Sequence, residues 1–359
     1  MIKKYLWNKS LLRLLPIILV FIGVILVIAI FPNQFPVWTG FGEYQNPNGE
    51  IDRAKTLWDW MSLLIVPFAL AIGAWLLNRS ERAGEQWIAQ ERIHEDALQI
   101  YLDRMTELML KEKLCKSAND DETRSLARSR TITVLRILDG ARKGIVATFL
   151  YESGLINIVP IIKLNNADIS NAQLRKANLS AACLSRSNLM GANLSHARLM
   201  DANLSYVRLE NANLRSASLL STNLLSAKCE NAKFSRATLV NANLNSADLH
   251  KSNLSSIHAV KANLRSAQLR EANLQGANLS EAILVRADLS KANLQNVNFA
   301  GANLSGANLR QADLRGAILD DVDLSFADLT GARLKYSQLK NAKSLSVAIM
   351  MDGNLFSRR

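Results

Sequence analysis

The stretch "GANLSGANLRQADLRGAILD", residues 301–320, places Leu304, Leu309, Leu314 and Leu319 five residues apart, each two residues after an alanine. Five residues of α-helix turn through about 500°, so these leucines would be scattered around a helix. A β-strand has a side-chain period of two, so they would alternate between its faces. Ala and Leu two residues apart, however, share one face of a short extended segment. If the other residues turn a corner, each Ala–Leu pair faces the same axis, which predicts a coil with Ala and Leu inside.

The same pattern continues for 35 pentads without insertion, with a central position every five residues from Ile169 to Leu339. Thirty central positions are Leu, and 27 of the positions two residues earlier are Ala. The last proline is Pro160, as expected if nearly every later backbone N–H bonds to a neighbouring coil. The leucines that define the predicted core include Leu204, Leu224, Leu244, Leu264 and Leu304.

This A(N/D)LXX pattern, over about 165–343, resembles the pentapeptide-repeat family. The resemblance implies a right-handed quadrilateral parallel β-helix with four pentads per coil, so that residues 20 apart stack. Asn203, Asn223, Asn243 and Asn263 would then form one column, an arrangement that favours hydrogen bonds between identical amides. Some characterised family members resemble duplex DNA in shape and charge and bind DNA gyrase. That mechanism requires an acidic surface, whereas residues 165–343 hold 21 Lys and Arg against 13 Asp and Glu.

Two apolar runs near the N-terminus predict a transmembrane hairpin over 1–78, with spans at about 12–31 and 57–77. The uncharged run 14–31 is 18 residues long, which nearly crosses a hydrocarbon core of about 30 Å. Five of the six tryptophans lie near the ends of these runs, where indole rings favour the headgroup layer. A buried soluble helix is the alternative for either run.

The distribution of Lys and Arg predicts the orientation of this hairpin. Four basic residues precede the first run and three follow the second, whereas the connecting loop 32–55 has two. The positive-inside rule then places both termini in the cytoplasm. The prediction is an integral protein of a bacterial-type inner membrane with two spans. Cleavage of the first span as a signal peptide is the alternative, and it would leave the C-terminal part cytoplasmic.

Residues 79–160 are predicted to form a cytoplasmic α-helical linker and an N-terminal cap for the β-helix. In 79–118, Leu98, Leu102, Met105 and Met109 follow helical spacing along one face. That face packs either within its own chain or in a coiled coil between subunits. The β-helix is assigned to 161–343, and 344–359 loses the pentad pattern and is predicted to be a C-terminal tail or cap.

An outward apolar column is the predicted partner-binding site. Met200, Leu220, Val240 and Val260 each follow a central position and are 20 residues apart, and Leu225 lies one pentad from Leu220. Exposed apolar rows of this kind mark interfaces, although a tolerated mild patch is the alternative.

No catalytic or cofactor motif is found. The four histidines lack companion residues in any catalytic or metal-binding pattern, and no phosphate loop or nucleophile elbow is present. We therefore predict no enzyme activity, no cofactor and no metal. The predicted function is a membrane-tethered scaffold that binds the lipid bilayer and an unidentified protein or a second copy of the chain. The alternative is a membrane-localised module that binds nucleic acid or topoisomerase. The net charge of +12 permits nucleic acid, but no aromatic platform accompanies the dispersed charges.

Overall fold

The chain divides into two compact units, Met1–Ala89 and Gln90–Arg359. The computed structural model describes residues 44–45, 48, 51–52, 57–118, 121–157 and 160–356.

The first unit contains a short hairpin and the beginning of a long helix. Strands β1 (Tyr44–Gln45) and β2 (Ile51–Asp52) pair antiparallel, and helix α1 runs over Leu57–Leu110 into the second unit. The predicted span 12–31 lies outside the described residues, whereas the predicted span 57–77 coincides with the start of α1. In the part of the chain that the structure describes, no helix is both long enough and apolar enough to cross a bilayer. The membrane anchor therefore stays a proposal.

Two shorter helices precede the β-helix in the second unit. Helix α2 (Glu122–Ile137) begins after Asp121, whose carboxylate accepts a hydrogen bond of 2.8 Å from the N–H of Thr123. Helix α3 (Gly140–Glu152) begins after Asp139, whose carboxylate accepts one of 2.9 Å from the N–H of Arg142. Each aspartate thus satisfies a backbone donor that the first helical turn leaves unpaired.

The apolar face predicted for the linker packs within its own chain. Leu98 and Met105 are buried, and Leu102 and Met109 are half-buried against the same core. The Tyr101 hydroxyl is 2.9 Å from the hydroxyl of Thr131 on α2, which satisfies both groups inside this core. Intrachain packing, one of the two alternatives for this face, therefore accounts for it.

The pentads form a parallel β-helix, as predicted. Each β-bridge joins residues 20 apart, from Asp168 with Asn188 to Asp313 with Arg333. A typical pentad donates three backbone hydrogen bonds to neighbouring coils, one to the preceding coil and two to the next. An example is Leu304, whose N–H donates to the carbonyl of Asp323 over 2.8 Å. These bonds use the backbone groups that an open sheet edge would expose.

The corners of the coil depend on left-handed backbone. Every fifth residue from 166 to 331 has φ between +51° and +72°, and only six of these residues are glycine. A positive φ at the third residue is what a type II turn requires, and the turn closes with bonds such as Ala307 N–H to Leu304 C=O at 3.0 Å. No Val, Ile or Thr occupies these corners, because β-branched side chains are the most strained there.

The N-terminal end of the β-helix is covered by α3 at very short range. The carbonyl of Gly140 accepts a hydrogen bond of 2.8 Å from the N–H of Gln173. A Cβ added at Gly144 would come within 3.0 Å of the Gln173 carbonyl carbon and closer to its oxygen. The helix therefore lies directly on the first coil, and only glycine permits this approach.

A buried lysine also joins α3 to the first coil. The ammonium group of Lys143 lies 3.1 Å from Asp168 Oδ2 and 3.2 Å from the Ser170 hydroxyl, and the Lys143 side chain is only 5% exposed. Burial opposes the ionisation of Asp168, yet hydrogen bonds from Ser170 and Lys143 hold its pKa below the usual value. The pair thus satisfies a charge that would be costly if buried alone.

The C-terminal end of the β-helix continues beyond the predicted boundary at residue 343. A 3₁₀ turn at Tyr336–Leu339 adds one residue to the coil, so Ser344 and Ile349 bridge to residues 21 positions earlier. Leu355 then pairs antiparallel with Ile349, which folds the tail back on the last coil. The core is continuous from Leu98 to Met350.

Candidate functional site on the outer faces

The predicted apolar column is a real column on the β-helix surface. The N–H of Asp201 donates to the carbonyl of Leu220 over 3.0 Å, and the N–H of Ser221 donates to that of Val240 over 2.9 Å. Met200 and Leu220 are each 36% exposed, and Val240 and Val260 are half-buried. Four coils therefore present adjacent apolar side chains over about 14 Å, given about 4.8 Å between coils.

Leu225 lies on the next face rather than in this column. It is half-buried, and its carbonyl accepts a hydrogen bond of 2.8 Å from the N–H of Tyr206. Tyr206 is 49% exposed, and the guanidinium of Arg186 lies 5.5 Å from the centre of its ring. The sequence analysis did not include Tyr206 in the candidate site, although the stacking of residues 20 apart would have placed Tyr206 beside Leu225. Aromatic residues are enriched at protein interfaces, so Tyr206 enlarges the candidate surface.

Asparagine ladders hold the outward strands in place. Asn243 donates its side-chain amide to Asn223 over 3.1 Å, and Asn263 donates to Asn243 over 3.3 Å. The oxygen of each amide also accepts from the N–H two residues on, as in Asn223 with Leu225 at 3.2 Å. The five core-defining leucines named above are all buried, with exposures of 2% or less. The outer side chains therefore project from a backbone fixed on both sides.

The charges are less dispersed in space than along the sequence. Stacking collects five basic residues and no carboxylate on one face over its first five coils: Arg175, Lys176, Arg215, Lys233 and Arg236. The face that precedes it in the chain carries four carboxylates and three basic residues over the same coils: Asp168, Glu210, Glu230 and Asp248 with Arg208, Lys228 and Lys251. Reading the sequence in columns of every twentieth residue reveals this asymmetry, which a total charge conceals.

One trio among the described residues could offer ligand atoms to a metal ion: Glu91, His94 and Asp139. His94 Nδ1 lies 3.4 Å from Asp139 Oδ2, a contact between residues far apart in the sequence. The guanidinium of Arg142, however, lies 2.6 Å from Glu91 and also bonds Asp139. Because a cation already occupies both carboxylates, the trio fits an ion-paired contact between α1 and α3 better than a metal site.

The contact with Arg142 also changes the pKa of Asp139. Partial burial opposes its ionisation, but hydrogen bonds from the backbone and side chain of Arg142 outweigh that effect and hold the pKa of Asp139 below its usual value. The carboxylate is therefore charged at neutral pH and supports the start of α3.

The coil geometry and the polar outer faces define a β-helical solenoid protein. The family model "Pentapeptide repeats" matches eight copies, over residues 162–195, 192–224, 222–258, 262–300, 298–335 and 307–343. The chain belongs to the pentapeptide-repeat family. The fold of that family is the right-handed β-helix expected above.

Several solved structures are similar to this chain. HetL, a pentapeptide repeat protein involved in heterocyst differentiation regulation from the cyanobacterium Nostoc sp. strain PCC 7120, is 34% identical. The match covers 58% of this chain and 97% of HetL, with a TM-score of 0.29. The protein alr5209 from Nostoc PCC 7120 is 44% identical over 24% of this chain and 69% of its own, with a TM-score of 0.23. Trypsin-treated QnrB1, a plasmid-mediated fluoroquinolone resistance protein, is 24% identical over 44% and 79%, with a TM-score of 0.29. Among curated proteins, none matches this chain.

Proposed function

We propose that this protein is a non-enzymatic scaffold that binds a protein partner through the apolar column of its β-helix. The observation that carries the proposal is the row formed by Met200, Leu220, Val240 and Val260, which a fixed backbone holds at the surface. A rigid surface loses little conformational entropy on binding, so modest apolar contacts contribute effectively to affinity. Tyr206 and Leu225 extend the row around one corner.

Substitution of the column tests this function in the native host. The full chain with Leu220→Glu and Val240→Glu is compared with Gln275→Glu, a control at the same pentad position on another face. Proximity labelling from the β-helix and sedimentation analysis should show a partner, or a self-association, that the control retains and the column variant loses. If both variants keep every labelled partner and the same oligomeric state, the column is not the binding site.

The proposal includes a tether at a bacterial-type inner membrane, with both termini cytoplasmic. Its support is the pair of apolar runs, the tryptophans near their ends and the distribution of Lys and Arg. Full-length protein should stay in the membrane fraction after alkaline carbonate extraction, and cysteine labelling should reach Cys115 only from the cytoplasmic side. Release of the full-length protein by carbonate would contradict the tether and leave the partner-binding test unaffected.

Binding to topoisomerase or nucleic acid is the alternative function. The described residues carry no acidic face that extends along the whole β-helix, and residues 165–343 have eight more basic than acidic residues. Mimicry of DNA needs the opposite sign of charge. Gel-shift and gyrase-protection assays on the full chain distinguish this alternative from the scaffold.

A further inference from the structure

A polar groove lies on the basic face of the β-helix, around the corner from the apolar column. It has a volume of about 670 Å³ and spans five coils. Its walls include Arg175, His196, Arg215 and Arg236, and the remaining lining is Ser and Asn. The groove arises because short serines alternate with long arginines in the same outward columns. Ser195 and Ser235 form its floor and are buried to 8% and 6% exposure.

The arginines of this groove have no anionic partner among the residues that the structure describes. Within the described ranges, no carboxylate lies within ion-pairing distance of Arg175, Arg215 or Arg236. At the other end of the same face, Arg315 is paired with Asp313 at 2.6 Å. On this face, the charge of Arg315 is thus neutralised, whereas the charges of the arginines around the groove are not. Like charges held this close repel one another and raise the affinity for an anion.

One arginine of the groove is hydrogen-bonded to its floor. The Nε of Arg215 donates to the Ser235 hydroxyl over 3.0 Å, which holds the guanidinium beside the floor of the groove that it lines. Guanidinium forks bind phosphate oxygens in bidentate fashion, and hydroxyl and amide groups add further hydrogen bonds. The lining therefore has the composition of a phosphate site built on side chains.

We propose that this groove binds a small soluble molecule that carries two or more adjacent phosphate groups. Arg215 and Arg236 lie on successive coils about 4.8 Å apart, so two guanidinium groups can bind neighbouring phosphates of one ligand. The lining contains no apolar residue and no Phe, Tyr or Trp, which disfavours a lipid tail and the base stacking of single-stranded nucleic acid. A peptide would need a free strand edge or an apolar pocket, and the coil-to-coil bonds leave no such edge on this face.

Calorimetric titration of the full chain with inorganic tripolyphosphate tests the proposal at fixed ionic strength. The variant Arg215→Gln is compared with Arg265→Gln. Both arginines are exposed, follow a central leucine and have their backbone N–H bonded to the asparagine two residues earlier, at 3.3 Å and 3.1 Å. They therefore share their charge and local geometry but lie on different faces.

The expected result is binding by the wild-type chain that Arg215→Gln weakens about tenfold or more, the loss typical of one charge-assisted hydrogen bond. Arg265→Gln should stay within about twofold of wild type, as expected for a distant surface charge. A second groove variant, Arg236→Gln, should also weaken binding, so the result does not depend on how one residue affects folding.

Three results would overturn the proposal. Equal weakening by Arg215→Gln and Arg265→Gln would mean that only the total charge matters. Tighter binding of a tricarboxylate or an oligoglutamate peptide than of tripolyphosphate would assign the groove to carboxylates. Binding confined to phosphatidylglycerol vesicles or to oligonucleotides, with none to tripolyphosphate, would assign it to a macromolecular surface.

Discussion

Adding one methyl group to α3 tests the contact between the cap and the first coil. In Gly144→Ala, the new Cβ would lie 3.0 Å from the Gln173 carbonyl carbon and closer to the carbonyl oxygen than real Cβ atoms essentially ever come. The backbone of Gln173 cannot yield, because the carbonyl of Ala172 and the N–H of Leu174 on either side of it are bonded to Asn193 in the next coil. The helix must therefore move away from the coil by about 1 Å, which resembles overpacking of a core and costs about 1–3 kcal/mol.

Two further effects nearly cancel in this variant. Loss of the Gly140–Gln173 hydrogen bond costs about 1 kcal/mol, whereas alanine favours a helix over glycine by about the same amount. The net expectation is a loss of about 1–3 kcal/mol in stability, concentrated at the cap. Hydrogen exchange on the full chain should show faster exchange of the Gln173 amide and of its neighbours in the first coil.

A matched control makes this prediction specific. Gly73 also lies inside a helix, and a Cβ added there would meet no atom within 4 Å. Gly73→Ala should therefore leave exchange in the first coil unchanged and should be neutral or stabilising. If Gly144→Ala also leaves the Gln173 amide fully protected, the close approach of α3 to the coil is not a feature of the molecule in solution.

Three other predictions concern the core, the cap and the thiols. Leu264 is 2% exposed, so Leu264→Ala should lower the free energy of unfolding by about 2–5 kcal/mol. Leu264→Asp should lower the thermal midpoint far more than Ser266→Asp at the adjacent corner. Equal midpoints would refute the inward assignment of Leu264. Because the pKa of Asp139 is lowered in the folded state, its contribution to stability is present above the unfolded pKa of about 3.9 and is lost as the pH falls below that value. Acid titration monitored by hydrogen exchange should therefore expose α3 before the β-helix. Exposed Cys115 should react rapidly with a thiol reagent, whereas full burial raises the pKa of the Cys229 thiol and should delay its reaction until unfolding; simultaneous modification would contradict its place in the core.

The coil could be predicted from the sequence because its period is short and exact. One pentad fixes which residues face inward, so the burial of Leu304 follows from its position alone. The contact of Gly144 with the first coil could not be predicted, since it depends on where α3 meets the β-helix rather than on any pattern within the helix. The extra residue at Tyr336–Leu339 could not be predicted from the sequence either, because Leu339 keeps the pentad spacing while the coil around it changes register.

The candidate sites differ in how far the sequence could reveal them. The apolar column was visible because its members, such as Leu220 and Val240, share one pentad position and a spacing of 20. The groove was missed because Arg215 and Arg236 occupy different pentad positions, and their charges look scattered along the chain. The contact between His94 and Asp139 joins segments far apart in sequence, and no local spacing predicts it.

The continuity of the core from Leu98 through the β-helix has a consequence for synthesis of the chain. Translation delivers α1–α3 before any pentad, so these helices can present their exposed hydrogen-bonding groups to the first coil as it emerges. Each later coil needs only about 20 further residues to bond to the one before it. The molecule can therefore grow in the order in which the ribosome produces it, and no strand has to wait for a distant partner.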